Sequence, residues 1–530
     1  SYYTDENTAS LCGKVNIDGK LPSNVQMRVI LQSHGKTVRE SSAPVSGARF
    51  SVPVPLKSLP AGEYTATVSI MVKNDTIYAE TLSLSKYPPA DYTVKMDAKN
   101  LCVLVDGKPF FPMGMLSIPD ILIPEYAEAG FNIGQYNSPD IAYYNGFKTV
   151  AATYYAASRE NYKTMEPDAL AKKIRRYLLD SCPRYFGGTV DRINTEVSPR
   201  AKQYWNHPAF TGYFWDEPQV DEAKGAEVLC NVTRDLDPYH PIMPVFYRDT
   251  DPTIPSSIYD IYGADIYWFD VPSSKKYKSC GRLILHAATA EKLHKPFWLM
   301  PSAAGYVAST ALTPAEQRIQ TYLGLIYGAR GIFYWSYLQM YPAMAVELKK
   351  LGREVRELSP ALLTQSPDQT VTGVEETDVH ALAKIHGGDC YLLTANNSAD
   401  EEKTMRIKTS APAGVKSAKV LFENRTVPVK DGAIDDKFAP YATHVYVLPK
   451  ADARKPIQIA IEKLASATVP MPKIRRWPDF KDTLDEEIGN PGFEDAEDGQ
   501  PRIWIASCGW ETPEYCSLST KEFHSGTKSL

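Results

Sequence analysis

The chain has 530 residues with 43% hydrophobic and 23% charged side chains, an ordinary globular composition with room for several domains and a large core. A net charge of −5 without a basic block excludes a nucleic-acid backbone as the expected partner, and no apolar run approaches the roughly 20 residues of a membrane-spanning helix. Eight cysteines lie scattered without a close CxxC pair, so neither a zinc site nor any catalytic metal or cofactor is expected; only Cys508 and Cys516 are near enough in sequence for a local disulfide.

Residues 1–95 read as an N-terminal β-sandwich. Met27–Leu31, Phe50–Val54 and Tyr64–Ile70 are alternating or β-branched runs separated by turn residues. The rhythm changes near residue 100, where Leu101–Val105 is a strand and Asp106-Gly107 a hairpin turn. From there strands alternate with helical segments, the pattern of a parallel α/β fold. Strands are placed at 111–115, 132–136, 149–154, 212–217, 242–247, 261–267, 297–301 and 331–335. Helices are placed at 167–179, 221–236, 281–293 and 314–327, the last opened by Thr313-Pro314-Ala315-Glu316 as N-cap, first-turn proline and capping glutamate. Eight such strands within residues 96–365 predict a (β/α)8 barrel.

Residues 366–450 return to β, with strands at 382–385, 390–395, 416–422 and 443–448, and are expected to form a second sandwich. Residues 451–487, rich in proline and charge, read as a linker or wrapping arm. Asn490-Pro491-Gly492-Phe493-Glu494 opens a further module resembling the start of a carbohydrate-binding jelly roll, and 488–530 is too short to close such a fold. The fold class is thus multidomain: a central (β/α)8 barrel between β-sandwiches.

In such a barrel the chemistry sits at the C-terminal strand ends. Strand four ends Tyr213-Phe214-Trp215-Asp216-Glu217-Pro218, placing two carboxyls at the mouth; the alternative reading is an acid-rich helix N-terminus, since Asp221 and Glu222 follow. Paired carboxyls suit acid–base chemistry at a glycosidic bond, with Glu217 as proton donor. Strand six ends Asp265-Ile266-Tyr267-Trp268. There Tyr267 and Trp268 are candidate sugar contacts, and Asp265 is either a catalytic base or a buried partner of Arg248 or Arg330. Tyr247 on strand five, Gln135 and Asn137 on strand two, Trp298 on strand seven and Trp335 on strand eight complete the candidate substrate-binding residues, with a core role open for Trp335. His207 precedes strand four and reads as structural.

Val105–Phe111, Trp215-Asp216-Glu217-Pro218 and Gly328–Trp335 resemble (β/α)8 glycoside hydrolases. The strand-four motif is similar to that of the large retaining clan containing cellulases and β-galactosidases, but strand seven reads Phe297-Trp298-Leu299-Met300-Pro301 and lacks that clan's nucleophilic glutamate. The adjacent Asp-Glu pair more closely resembles the β-N-acetylhexosaminidases of families 20 and 123, over roughly residues 100–360. That resemblance implies substrate-assisted catalysis: the sugar's 2-acetamido oxygen attacks, Asp216 orients it and Glu217 is acid and base. It also implies a glycan partner on β-linked GalNAc or GlcNAc. Export to the periplasm or medium is expected from the domain type, the chain beginning Ser-Tyr-Tyr as a processed product would. Two rivals remain: a two-carboxylate β-glycosidase with Asp265, Asp270 or Asp249 as partner of Glu217, and a non-catalytic sugar-binding barrel.

Overall fold

The computed structural model describes residues 2–3, 5–14, 22, 24–45, 49–73, 75–90, 92–135, 137–153, 156–181, 204–247, 254–267, 280–303, 312–337, 340–365, 367–410, 414–452, 455–469, 496–497 and 500–501.

The first residues build a five-stranded sheet, in the spatial order Tyr2–Tyr3, Asp75–Tyr87, Gly62–Val72, Val25–Ser33, Lys36–Pro44, and a two-stranded sheet of Thr8–Lys14 and Arg49–Pro55. Strict alternation along Val25-Gln26-Met27-Arg28-Val29-Ile30-Leu31 turns Val25, Met27, Val29 and Leu31 into a common core with Val52 and Val54. Next, Val94–Asp97, Cys102–Val105 and Lys108–Phe110 form a three-stranded antiparallel sheet. Asp106 and Gly107, at φ 49° and 74°, both take the left-handed conformation that a two-residue hairpin turn requires.

Eight parallel strands then close into a barrel: Met113–Met115, Ile133–Gln135, Lys148–Ala152, Phe210–Asp216, Ile242–Phe246, Tyr262–Asp265, Phe297–Met300 and Gly331–Tyr334, hereafter strands one to eight. The barrel closes where Met113 pairs with Ile332. Each strand sends alternate residues inward. Ile133, Val150, Ala152, Phe214, Met243, Val245, Trp298, Met300 and Phe333 fill the lumen, and Val94 and Val103 of the three-stranded sheet join the same cluster, sealing the barrel's N-terminal end. A methyl group on Gly114 would meet the Phe333 ring at 2.1 Å and Ile133 at 2.6 Å, so the bare backbone of strand one is what lets Phe333 cross the lumen.

Outward residues pack under the helices Ile123–Glu128, Pro139–Tyr144, Pro167–Arg176, Ala223–Leu236, Gly281–Lys292, Pro314–Ile326 and Pro342–Leu362. The helix at Pro314 opens with a reciprocal cap: the Thr313 hydroxyl accepts from the Glu316 amide, and the Glu316 carboxylate accepts from the Thr313 amide. Between strands five and six the described residues hold only the short 3₁₀ turn Ser256–Ile258.

The C-terminal region is a sandwich of a five-stranded sheet (Val379–His386, Asp389–Asn396, Thr443–Pro449, Ser417–Val420, Arg425–Pro428) and a four-stranded one (Gln369–Thr372, Ile457–Thr468, Glu401–Thr409, Ala433–Phe438). Leu382, Leu393 and Val445 face the barrel shell, whereas Leu392, Ile407, Ile434 and Ile459 lie between the sheets.

The expectation of a linker across 451–487 is corrected at its start. Ile457–Thr468 is a full strand between Gln369–Thr372 and Glu401–Thr409, because Ile457, Ile459 and Ile461 alternate into the core. The rest of that segment, and nearly all of the expected jelly-roll start with Cys508 and Cys516, lie outside the described residues. Cys12, Cys102, Cys230, Cys280 and Cys390 are free thiols. No described helix is long and apolar enough to cross a membrane.

Candidate active site

Strand four carries the two carboxyls for a geometric reason. Phe214 and Asp216 point inward by alternation, so Asp216 is the first lumen residue above the Phe214 ring, and it ends the ladder opposite Val245. A regular strand would then turn Glu217 away. Instead Glu217 takes φ 42°, a left-handed conformation unusual for a residue with a side chain, and its carboxyl joins that of Asp216 at the mouth. The Glu217 carbonyl accepts hydrogen bonds from Arg159 Nη1 at 3.0 Å and Gln219 Nε2 at 2.7 Å, which hold this turn.

A third carboxyl arrives from across the lumen. Asp265 ends strand six, is 3% exposed, and lies near enough to Glu217 and Asp216 for their charges to act on it. Burial foremost, then the negative charges of Glu217 and Asp216, push it well above the usual carboxylate range. Its Oδ1 has no hydrogen-bond partner. Burial, reinforced by Glu217 and partly offset by Arg159, pushes Asp216 up to about 6. The expected alternative of an Asp265–Arg330 pair is corrected. Arg330 immediately precedes strand eight at the closed end of the barrel, where its backbone N–H bonds Phe297 and its guanidinium bonds the Leu362 carbonyl. Asp265 is at the open end.

Around the carboxyls stand residues the sequence did not single out. Arg159 Nη2 is 3.7 Å from Glu217 Oε2, and its Nη1 is 3.7 Å from the buried Glu222. Arg159 begins the helix Arg159–Thr164, capped by Ser158. A cation there opposes the helix dipole, and that is the one sequence signal that could have marked it. Gln219 is fixed by Glu222, whose Oε2 accepts from the Gln219 amide at 2.9 Å, and the Tyr247 hydroxyl reaches Gln219 Oε1 at 3.5 Å. Tyr247 therefore stands beside the Glu217 turn.

Tyr267 and Trp335 come together, ring centroids 5.8 Å apart and planes inclined by 31°, and the Trp335–Ser336 peptide is cis. Gln135 ends strand two, buried, with no partner for its Nε2. Two expected contacts lie elsewhere. Asn137 folds over the outer side of Gly134 and its Nδ2 binds the Ile118 carbonyl and Asp120, so it ties down the loop after strand one rather than facing the lumen. Trp298 points inward but one layer too deep: it pairs with Gly263 and packs with Ile133 and Phe333, below Met300, the register partner of Asp265. Trp298 fills core. Trp268, Asp249, Asp270 and Arg248 lie outside the described residues. His207, fully buried, accepts from the Ala209 amide, bonds Asp140 at 3.2 Å and is held down at about 4 by burial, as a structural group. Among the described residues, no carboxylate follows strand seven through Ala303 or strand eight through Tyr337.

A separate cleft of about 880 Å³ opens between the barrel helices and the C-terminal sandwich, lined in part by Ile284, Tyr327, Asp378 and His380 and by no barrel strand. His380 there bonds Tyr327, Asp378 and Cys280, and burial pushes the Cys280 thiol up to about 11, which keeps it protonated and unreactive. Acid–base chemistry belongs to the barrel mouth.

No family model and no curated protein matches the chain. Among solved structures it is similar to a family 39 glycoside hydrolase from the gut symbiont Bacteroides cellulosilyticus, at 12% identity and TM-score 0.38, over 85% of this chain and 98% of that one. It is also similar to the β-D-glucuronidase of Dictyoglomus thermophilum, at 14% identity and TM-score 0.33, over 63% and 62% of the two chains. A third likeness is to Ruminococcus gnavus β-glucuronidase, at 12% identity and TM-score 0.34, over 65% and 66%. The architecture of this chain rests on its own strand order, a closed eight-stranded parallel barrel with β-sheet regions on either side.

Proposed function

We propose that this protein is a glycoside hydrolase, acting outside the cytoplasm on a β-linked N-acetylhexosamine glycan by substrate-assisted retention. The observation that carries the reading is the meeting of Asp216 and Glu217 at the end of strand four, above a sealed apolar lumen, without a described carboxylate at the ends of strands seven and eight. Glu217 protonates the departing glycosidic oxygen and then takes a proton from the incoming water. Asp216, ionised above about pH 6, accepts the acetamido N–H and steadies the positive charge of the cyclic intermediate. The acetamido oxygen is the nucleophile, so no second enzyme carboxylate at bonding distance is needed. Tyr267 and Trp335 offer apolar ring faces for the sugar.

A two-carboxylate mechanism with Asp265 is the second reading, favoured by its approach to Glu217. Retaining pairs stand about 5–5.5 Å apart and inverting pairs about 6.5–9.5 Å. The test is hydrolysis of paired p-nitrophenyl β-glycosides with and without a 2-acetamido group, by wild type and Asp216→Asn. Turnover of acetamido sugars alone, lost in the variant, is expected. Equal cleavage of plain hexosides would overturn the substrate-assisted reading and leave Asp265 as the partner. Failure on both series and on β-linked oligosaccharides would overturn the enzyme.

A further inference from the structure

The stagger of the strand pairings sorts the inward side chains of the barrel into levels, each filled from alternate strands. Phe214 of strand four and Phe333 of strand eight share one level, where their ring centroids are 6.4 Å apart across the lumen. Strands two and six reach that level with Gln135 and Gly263. Gln135 points inward because it follows Ile133 by two residues and pairs with Val150, both of them lumen residues. Its amide lies beside the two rings that floor the mouth, deeper than Asp216 and Asp265, which come two residues after Phe214 and Gly263. Gly263 faces it without a side chain. Asn137, the next residue of strand-two phase, is folded outward over Gly134 and bound to Ile118 and Asp120, so it does not cap Gln135. Gln135 is 6% exposed, and its Nε2 has no hydrogen-bond partner. A buried amide N–H is costly until something accepts from it. On the facing strand the Asp265 Oδ1 is buried and equally without a partner.

We propose that Gln135 is a specificity-determining residue: its amide N–H donates to one ring hydroxyl of the sugar whose glycosidic bond lies at Glu217, while Asp265 Oδ1 accepts from a second hydroxyl of the same ring. The inference rests on the glycosidase reading. Depth selects the group. To reach Gln135 a hydroxyl must point down past the carboxyls, and the Phe214 and Phe333 rings close the lumen at that level. A hydroxyl that carried a further sugar would have no way onward, so the bound sugar is a chain end and the enzyme releases residues from the non-reducing terminus. Chemistry selects the group as well. A hydrogen or a methyl group in its place leaves the amide buried and unpaired, whereas a hydroxyl satisfies it. Strand four engages the anomeric carbon and its neighbouring substituent, so the hydroxyls read by strands two and six are those at C3, C4 or C6.

The test needs one variant, Gln135→Met, which keeps the length of the side chain and removes its polar atoms. Because the amide is unpaired within the protein, the variant should melt at the wild-type temperature or higher. A clearly lower melting temperature would make the amide a structural group and overturn the proposal. Calorimetric titration with N-acetylglucosamine, N-acetylgalactosamine and their 3-, 4- and 6-deoxy forms then reads the contact without turnover. At one ring position wild type should bind the deoxy sugar about 10–10²-fold more weakly than the parent, and Gln135→Met should bind the two alike. Where the free sugars bind too weakly to titrate, kcat/KM on the p-nitrophenyl glycosides of the same sugars reads the same ratio. Equal treatment of every deoxy sugar by wild type, or the same discrimination in the variant, overturns the proposal, as does cleavage of a glycoside methylated at the hydroxyl so identified. If the sugars are discriminated in this way but no glycoside is cleaved, the contact stands and the glycosidase reading falls. If glycosides are cleaved without discrimination, the reverse holds.

Discussion

The two ends of the barrel lumen are built by the same strands and differ in every other respect. At the closed end Phe333, Trp298, Ile133 and Phe214 interdigitate, and Gly114 gives up its side chain to make room. At the open end, two residues further along Phe214 and Ile133, Asp216, Glu217, Asp265 and Gln135 bring polar groups together, some of them without partners. The closed end is completed by apolar packing, although the buried Trp298 indole N–H has no partner. The open end is finished only by something that supplies donors and acceptors, and functional sites are where local rules of satisfaction are expected to break. The largest effect should therefore come from the open end and leave the fold alone. Glu217→Gln keeps volume and hydrogen bonding but not the proton, and should lower kcat by about 10²–10⁴ with an unchanged circular dichroism spectrum. A variant that unfolds instead would make Glu217 part of the scaffold.

The closed end should answer in the opposite way. Phe333→Ala removes the ring that crosses the lumen and should destabilise the protein by about 3–5 kcal/mol, read from a denaturant titration. Activity per folded molecule should change far less than in Glu217→Gln. If kcat falls and the melting point does not, Phe333 belongs to the site and the division between the two ends fails.

How far this division was legible in the sequence follows from the period of the strands. Apolar runs alternating with helical segments placed all eight barrel strands, because each buries both faces in apolar side chains and ends at a turn or helix start. The Asp216-Glu217 pair was legible as a strand end followed by proline. Depth was not. Trp298 has the right inward phase, but only the stagger between neighbouring strands shows that it lies below Asp265. The approach of Asp265 to Glu217 joins strands that are not neighbours, so no local pattern contains it. Asn137 was misplaced because beyond a strand end the alternation no longer applies. Ile457–Thr468 was hidden by its lysine and glutamate on the exposed face and by the proline before it, although Ile457, Ile459 and Ile461 keep strand period.

Asp216 sharpens the comparison through stability. Its folded-state value is raised from 3.8 to about 6, so between those limits the folded protein holds a proton that the unfolded chain has released. Stability from this group is fully present below pH 3.8 and is lost as pH rises through about 6. At neutral pH the buried charge costs up to about 3 kcal/mol. Asp216→Asn should therefore be more stable than wild type above pH 6, by about 1–3 kcal/mol, and no more stable below pH 4, while losing activity. Melting curves across that range check it. A variant that is destabilised at neutral pH would mean that Asp216 is an ordinary structural carboxylate.

The smallest effect is expected at the turn that aims Glu217. A left-handed φ on a residue with a side chain stores about 1–3 kcal/mol and persists only while its surroundings hold it. Gln219 and Arg159 both donate to the Glu217 carbonyl, and the Arg159 side chain is half exposed, so its ion pair contributes little on its own. Gln219→Ala removes the shorter and better shielded of the two hydrogen bonds, worth about 1 kcal/mol, and should lower the melting point slightly or not at all. Because Glu217 is then free to relax toward ordinary strand geometry and away from the mouth, kcat should drop about tenfold with KM little changed, as a loss of orientation does. Gln219→Glu would not repair it: a carboxylate cannot donate to the Glu217 carbonyl, and it adds a negative charge beside the carboxyls already gathered at the mouth. A Gln219→Ala enzyme with unaltered kcat would show that Arg159 alone sets the turn, and the same measurement on Arg159→Ala would then carry the whole effect.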